Sequence, residues 1–468
     1  MKLSLTLGVL CLQLACLVLP ARADSVVWIS STAQNPWQTQ RAPEFTPASA
    51  PPEICVSPGK TFQTIDGFGG CFNELGWAAL NQLSPADKDR ALKALFSDDG
   101  CAFNLARIPI GASDFAESGY SLADTPDDFE LNRFSIDRDR KLLLPYIKSA
   151  MEIRPDLNCW ASPWSPPGWM KTTNNYARGS LKWDPPILRT YANYFVKWIE
   201  AYRAEGIQLY AITPQNEPNI LNVYPTCEWT GPQLREFIAD YLGPTLRDRK
   251  VDIELWLGLN GDPPSHGNNA NARLLPVLDD PKASSFLAGI AFQYDSKIQI
   301  AVAHKLYPNK KLMQSETECQ SGKNSWADAL RLYLLMRQYF DNGANAYFAW
   351  NMVLNETGLS TWNWKQNTLI TADVTKKELR FNGEYYVMRH FSQFIKKGAR
   401  RAACTGPWGD QIGFVNPDGS IVLVIGNSSK QSLPARIAVA GRNSNDSLQV
   451  TLPAESIHTF ILPASDNR

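Results

Sequence analysis

The sequence has no net charge to spare, few histidines and no cysteines in metal-binding spacing, and each shortage removes a class of function. Basic and acidic residues both number 46. Neither sign is in excess, so nothing draws the chain to nucleic acid or to an anionic membrane surface. The four histidines are His266, His304, His390 and His458. None is spaced as a metal ligand, which disfavours a metal-dependent hydrolase. No C-x-x-C spacing occurs. Past the leader, seven scattered cysteines remain: Cys55, Cys71, Cys101, Cys159, Cys227, Cys319 and Cys404. Export would permit one or two disulfides among them, but no pairing is legible. Internal repeats and low-complexity segments are absent.

What is present starts with a targeting segment. MKLSLTLGVLCLQLACLVLPARA carries an early Lys, an apolar stretch and an A-x-A end at Ala21-Arg22-Ala23. It predicts cleavage after Ala23 and a secreted, periplasmic or extracellular protein. The stretch is short for a span and no stop-transfer cluster follows, so stable membrane insertion is not expected. The chain of 468 residues suffices for one large domain and a small one. Fifteen Trp, 16 Tyr and 20 Phe supply a core, and they also suit a carbohydrate cleft, where sugar C–H faces stack on rings.

Strand-like runs alternate with helical patterns. Ser84 and Pro85 open a helix whose apolar stripe is Ala91, Leu92, Leu95 and Phe96. A second helix covers 186–204 and ends at Gly206. Eight strand runs fall at 66–70, 103–111, 159–164, 207–213, 252–258, 289–294, 311–315 and 346–352. Eight such units predict an α/β fold, a (β/α)8 TIM barrel. From about residue 400 the pattern changes to alternating strands with turn chemistry. QIGFVNPDGSIVLVIGN reads as a hairpin turning at Asn416-Pro417-Asp418-Gly419, and further strands follow at even spacing. The expected organisation is a signal peptide over 1–23, a strand segment over 24–62 packing with a β-sandwich, the barrel over 63–395 and the sandwich over 396–468.

In a barrel the C-terminal strand ends carry the chemistry. IQLYAITPQNEP (207–218) delivers Asn216 and Glu217 just past the fourth strand, and LMQSETECQ (312–320) delivers Glu316 just past the seventh. Two carboxylates facing across the mouth are what glycoside hydrolysis needs. One acid protonates the leaving oxygen and one carboxylate attacks the anomeric carbon, with retention when they stand about 5 Å apart. A neighbouring negative charge raises the pKa of one Glu and keeps it protonated. Asn216 is placed to hydrogen-bond the sugar 2-hydroxyl. Glu318 also follows the seventh strand, and alternation puts it on the same side as Glu316, so spacing leaves both open as the nucleophile.

From about residue 60 onward the chain resembles glycoside hydrolase family 30, the glucosylceramidase-like family. The resemblance is carried by DGFGG (66–70), RIPIGASDF (107–115), YSLADTPDDF (120–129), ASPWSPPGWMK (161–171), QNEP (215–218), SE (315–316), WNMVLN (350–355), WNWKQN (362–367) and SIHTFIL (456–462). It implies a (β/α)8 barrel with a C-terminal β-sandwich, retaining stereochemistry, Glu217 as acid/base and Glu316, directly after Ser315, as nucleophile. It implies further that Asp114 holds sugar hydroxyls, that Arg107 orients the nucleophile, and that Trp160, Tyr294, Trp350, Trp364 and Asn367 line the substrate pocket. No cofactor and no metal are implied.

The chain departs from the glucosylceramidase pattern. Gln293-Tyr294 stands where those enzymes carry His-Trp, and SETECQSGKNSW replaces SEAC. These forms look more like the microbial branch that includes endo-β-1,6-glucanases. The expected partner is therefore a β-linked glucan or β-glucoside, first β-1,6-glucan, with glucosylceramide or another β-linked sugar such as xylan, a fucoside or a galactoside as alternatives. A non-catalytic carbohydrate-binding protein is the reading from a different class, and two intact Glu residues argue against it.

Overall fold

The computed structural model describes residues 25–47, 50–260, 271–407, 409–443 and 446–464. The expected leader over 1–23 and His266 lie outside the described residues. Eight parallel strands close a barrel, numbered here β1 (Gly67–Cys71), β2 (Leu105–Ile110), β3 (Asn158–Pro163), β4 (Leu209–Ile212), β5 (Glu254–Asn260), β6 (Leu287–Gln293), β7 (Lys311–Glu316) and β8 (Ala346–Asn351). Each follows in chain order and β8 pairs with β1. All eight coincide with the runs read from sequence. Every residue of β2, LARIPI, is buried. That continuous apolar pattern belongs to strands covered by helices on one face and packed into the barrel on the other.

The lumen is filled by Leu105, Trp160, Ala211, Trp256, Ala291, Met313, Ala346 and Phe348. Large rings on some strands alternate with alanines on others, and β1 contributes glycine. A Cβ on Gly69 would stand 2.1 Å from the Leu105 carbonyl oxygen, and one on Gly70 would stand 2.3 Å from Met352 Cγ. DGFGG is thus a close-packing requirement. The helices obey their caps: Ser84 Oγ accepts from the Asp87 N–H at 3.1 Å at the start of Pro85–Phe96. Pro185–Ala204 ends where Gly206 takes φ +84°.

Among the described residues, ten further strands form one hydrogen-bonded sheet around a separate core that includes Val56, Leu423, Ile437, Leu448 and Phe460. The hairpin Gln411–Val415 with Ile421–Asn427 turns at 416–419, where Gly419 has φ +83°. Four strands of this sheet come from before the barrel. Val27–Ser31 pairs with Ser456–Leu462, and Ile54–Thr64 pairs with Arg400–Thr405 and with Leu433–Val439. A three-stranded sheet, Val353–Asn355, Ile370–Asp373 and Glu378–Phe381, follows β8 where the sequence pattern suggests only a loop. All seven described cysteines are free thiols, so none of the permitted disulfides forms among the described residues. Among the described residues no helix is long and apolar enough to cross a membrane.

Candidate active site

The barrel register puts Arg107 beside Trp160, Cys71 beside Arg107, and Gln293 beside Glu316. These strand ends share one level at the C-terminal mouth. Arg107 is the hub, and it is 1% exposed. Its Nη1 donates to Glu316 Oε2 at 2.5 Å, its Nη2 to Asn216 Oδ1 at 2.6 Å, and its Nε and Nη2 to Ser162 Oγ at 3.2 and 2.8 Å. The guanidinium carbon also lies 4.5 Å from the Trp164 ring centre and 4.7 Å from that of Trp160, with Trp350 at 5.6 Å. A buried cation is tolerated because a carboxylate, two neutral acceptors and three aromatic faces compensate its lost hydration.

Asn216 is oriented by the same contacts. Its Oδ1 accepts from Arg107 and from Gln293 Nε2 at 3.2 Å. With the carbonyl oxygen committed, the NH2 is the end left to donate to a ligand. Gln215 supports the loop from behind. Its Nε2 donates to the Trp164 carbonyl at 2.7 Å and its Oε1 accepts from the Trp229 indole at 3.2 Å. Pro218 fixes the exit, its carbonyl accepting from the Trp229 N–H at 2.7 Å.

The carboxyl groups differ in electrostatic setting. Burial raises the pKa of Glu316, and Arg107 with the Tyr294 hydroxyl opposes that rise. Burial also pushes Glu217 well above the usual carboxylate range, and the charges of Glu316 and Asp114 push it further. Tyr224 Oη donates to Glu217 Oε2 at 3.4 Å. The hydrogen-bonded ion pair favours the charged form of Glu316, while burial and two neighbouring carboxylates favour the protonated form of Glu217. Asp114, 6% exposed, is raised by burial and by Glu316, and its Oδ1 has no hydrogen-bond partner.

Glu217 and Tyr294 both sit in the left-handed region, at φ +47° and +44°. For non-glycine residues this conformation costs about 1–3 kcal/mol and persists where surrounding packing enforces it. Both follow barrel strand ends, β4 and β6.

Of the residues expected at the pocket, the structure gathers Arg107, Glu316, Asn216, Glu217, Asp114 and Tyr294. Trp160 and Trp350, at 1% and 0% exposure, buttress Arg107. Asn367 is also turned inward: its N–H donates to the Cys319 carbonyl at 2.6 Å and its Oδ1 accepts from the Asn324 N–H at 3.2 Å. Trp364 alone among these rings is open, 40% exposed on the rim with its centre 6.0 Å from that of Tyr224. Glu318 does not share the side of Glu316. Strand β7 ends at Glu316, alternation ends with it, and Glu318 turns to Arg331 at 2.9 Å. Sequence reasoning missed Ser162, Trp164 and Tyr224. Ser162 and Trp164 lie inside the ASPWSPP motif; nothing in the local sequence marks Tyr224. Lys171, fully buried, ties two mouth loops together by donating to the carbonyls of Tyr176, at 2.7 Å, and of Thr226. Among the described residues no group of His, Cys, Asp and Glu is placed to hold a metal.

A barrel whose mouth holds an Arg-paired glutamate and a second glutamate pressed towards its neutral form has the layout of a sugar-bond hydrolase, and comparison with known proteins gives the family. Residues 65–395 match the glycosyl hydrolase family 30 TIM-barrel domain, and 398–460 match that family's β-sandwich domain. The chain belongs to glycosyl hydrolase family 30 and is an enzyme of that family. It is 32% identical over 443 residues to lysosomal acid glucosylceramidase of Mus musculus, covering 87% of this chain and 83% of that one. It is 28% identical over 440 residues to endo-1,6-beta-D-glucanase of Neurospora crassa, covering 87% of each. Among solved structures, SrfJ from Salmonella typhimurium aligns with TM-score 0.84 and 29% identity over 93% of this chain and 99% of that one. The endo-beta1,6-glucanase BT3312 aligns with TM-score 0.82 and 27% identity over 94% of this chain and all of the other.

Proposed function

We propose that this enzyme cleaves β-glucosidic bonds by double displacement, with β-1,6-glucan as its substrate. The observation that carries the reading is the division of charge at the mouth. Arg107 bonds Glu316, while burial and two neighbouring carboxylates press Glu217 towards its protonated form. In this scheme the Glu316 carboxylate attacks the anomeric carbon, and Glu217 gives its proton to the departing glycosidic oxygen. Glu217, now ionised, takes a proton from the water that releases the sugar from Glu316. Asn216 donates to the 2-hydroxyl, a bond that strengthens as positive charge builds on the ring. Asp114 accepts from hydroxyls at the closed end of the pocket, and Trp364 offers a ring for the next sugar unit.

The glucan assignment is supported by Gln293-Tyr294 and by the similarity to two endo-β-1,6-glucanases. A second reading, glucosylceramide, is favoured by the 32% identity to the mouse glucosylceramidase. It is also favoured by Leu221 and Val223, each 50% exposed near the rim. Product release from β-1,6-glucan and from glucosylceramide, measured side by side with Glu316→Gln as blank, separates them. Gentio-oligosaccharides from the glucan alone support the proposal; ceramide alone transfers it to the second reading; neither product contradicts both. On the same reading the enzyme is exported, and N-terminal sequencing of the secreted protein should begin at Asp24.

A further inference from the structure

A second cavity adjoins the mouth through two shared residues. Trp350 and Cys319 belong to the apolar wall of the mouth and also line this space, together with Asn351, Asn367 and Glu384. Its volume is ≈ 10 Å³, about what one water needs. Glu384 enters it from the first turn of the helix Gly383–Ser392 and is 5% exposed. Two buried donors on residues that line this space have no partner within hydrogen-bonding distance, Asn367 Nδ2 and Trp350 Nε1, although the Asn367 amide lies close enough to Glu384 to act on its carboxyl. The remaining groups of Asn367 are all engaged. Its N–H and Oδ1 bind the loop after β7, and its carbonyl accepts from Asn351 Nδ2 at 3.3 Å. Asn367 therefore stitches the loop that follows Glu316 to the loop that follows β8.

We propose that Glu384 is a positioning residue: through one water held in this cavity it anchors Asn367 and Trp350, and so fixes the wall that supports Arg107 and Glu316. A neutral carboxyl suits this role because it both donates and accepts, and two orphaned donors need acceptors. The proposal rests on the glycosidase reading of the mouth.

Burial pushes Glu384 up to about 8, with the Asn367 amide opposing the rise. The titratable groups that face it are Asp328, on the helix Trp326–Asp341, and Cys319 and Glu318 on the loop after β7; Glu318 is itself paired with Arg331. A charge formed on Glu384 meets the Asp328 carboxylate in a poorly hydrated space. Raising the pH through this ionisation therefore loosens the stitch.

The test uses the purified enzyme, Glu384→Gln and Glu384→Met, with 4-nitrophenyl β-glucoside as probe. KM, kcat and melting temperature are followed across pH, and a crystal structure of the enzyme is determined. Glu384→Gln keeps the hydrogen bonds and cannot ionise. It should match the wild type at acidic pH and lack the alkaline rise in KM and the alkaline fall in melting temperature. Glu384→Met loses the anchor at every pH and should raise KM about fivefold or more, with kcat less affected. The crystal structure should show one water between Glu384 and Asn367 Nδ2. Profiles of Glu384→Gln that follow the wild type throughout, or a dry cavity, overturn the proposal. Wild-type enzyme inactive on every β-glucoside would refute the glycosidase reading instead, while the water and the melting profiles still decide on Glu384.

Discussion

Arg107 does three things at once: it neutralises Glu316, fixes the amide of Asn216 and lies against three tryptophans. Replacing it with Met leaves Glu316 buried without its cation. Glu316 should then titrate higher, so that the acid limb of kcat/KM moves to higher pH. Activity at neutral pH should fall about 100-fold or more. Lys restores the charge without the fork that reaches Glu316, Ser162 and Asn216 together, and should recover little. A pH–rate profile of Arg107→Met with an unmoved acid limb would contradict the electrostatic role. At this scale Glu217 and Glu316 are legible because strand ends in a barrel are chemically privileged. The error on Glu318 comes from extending alternation past a strand that has ended. For the tryptophans the sequence leaves a core role and a sugar contact both open, because a motif names the residue but not which way its ring is turned.

At the scale of elements, the glycines of β1 are explained by proximity rather than by backbone freedom. Gly69→Val would force a side chain into the Leu105 carbonyl on the neighbouring strand. We predict a loss of about 3 kcal/mol or failure to fold, read as the midpoint of urea unfolding. A variant as stable as the wild type would mean the barrel yields there. All eight strands can be read from sequence because a buried parallel strand is a continuous apolar run bounded by polar loops. The small sheet after β8 cannot. Its strands are three or four residues long, too short for a period to establish itself. Tyr224 escapes for a similar reason, since its place beside Glu217 is set by the fold of a loop, and in part by the tie that Lys171 makes to Thr226.

Across the whole molecule, barrel and sandwich are joined by His390. It sits on the barrel helix Gly383–Ser392 with one ring nitrogen 2.8 Å from Thr459 Oγ1 and the other 2.8 Å from Ser31 Oγ. Burial holds its pKa well below the ordinary value. Its contribution to stability is therefore present above about pH 6.5, the ordinary histidine value, and is lost as pH falls below it. Glu384 and Asp139, raised to about 8 and about 6, act in the opposite direction. The histidine effect is isolated by comparison with His390→Gln. The melting-temperature gap between wild type and variant should narrow as pH falls below about 6.5. A gap that stays constant to acidic pH would show that protonation does not reach the joint. The joint also explains why the N-terminal strands matter. Val27–Ser31 and Ile54–Thr64 pair with strands that begin at Arg400 or later in the chain, a pairing that hydrophobic pattern suggests but cannot register.

Everything proposed for this mouth turns on Glu316 attacking the sugar, and trapping examines that step without intermediaries. A 2-deoxy-2-fluoro-β-glucoside with a good leaving group slows breakdown of the covalent intermediate, so the labelled enzyme can be digested and its peptides sequenced by mass spectrometry. We expect one sugar per chain, on Glu316, and none in Arg107→Met at the same exposure. A label on Glu318, or none on an enzyme that turns over the parent glucoside, would show that Glu316 is not the nucleophile.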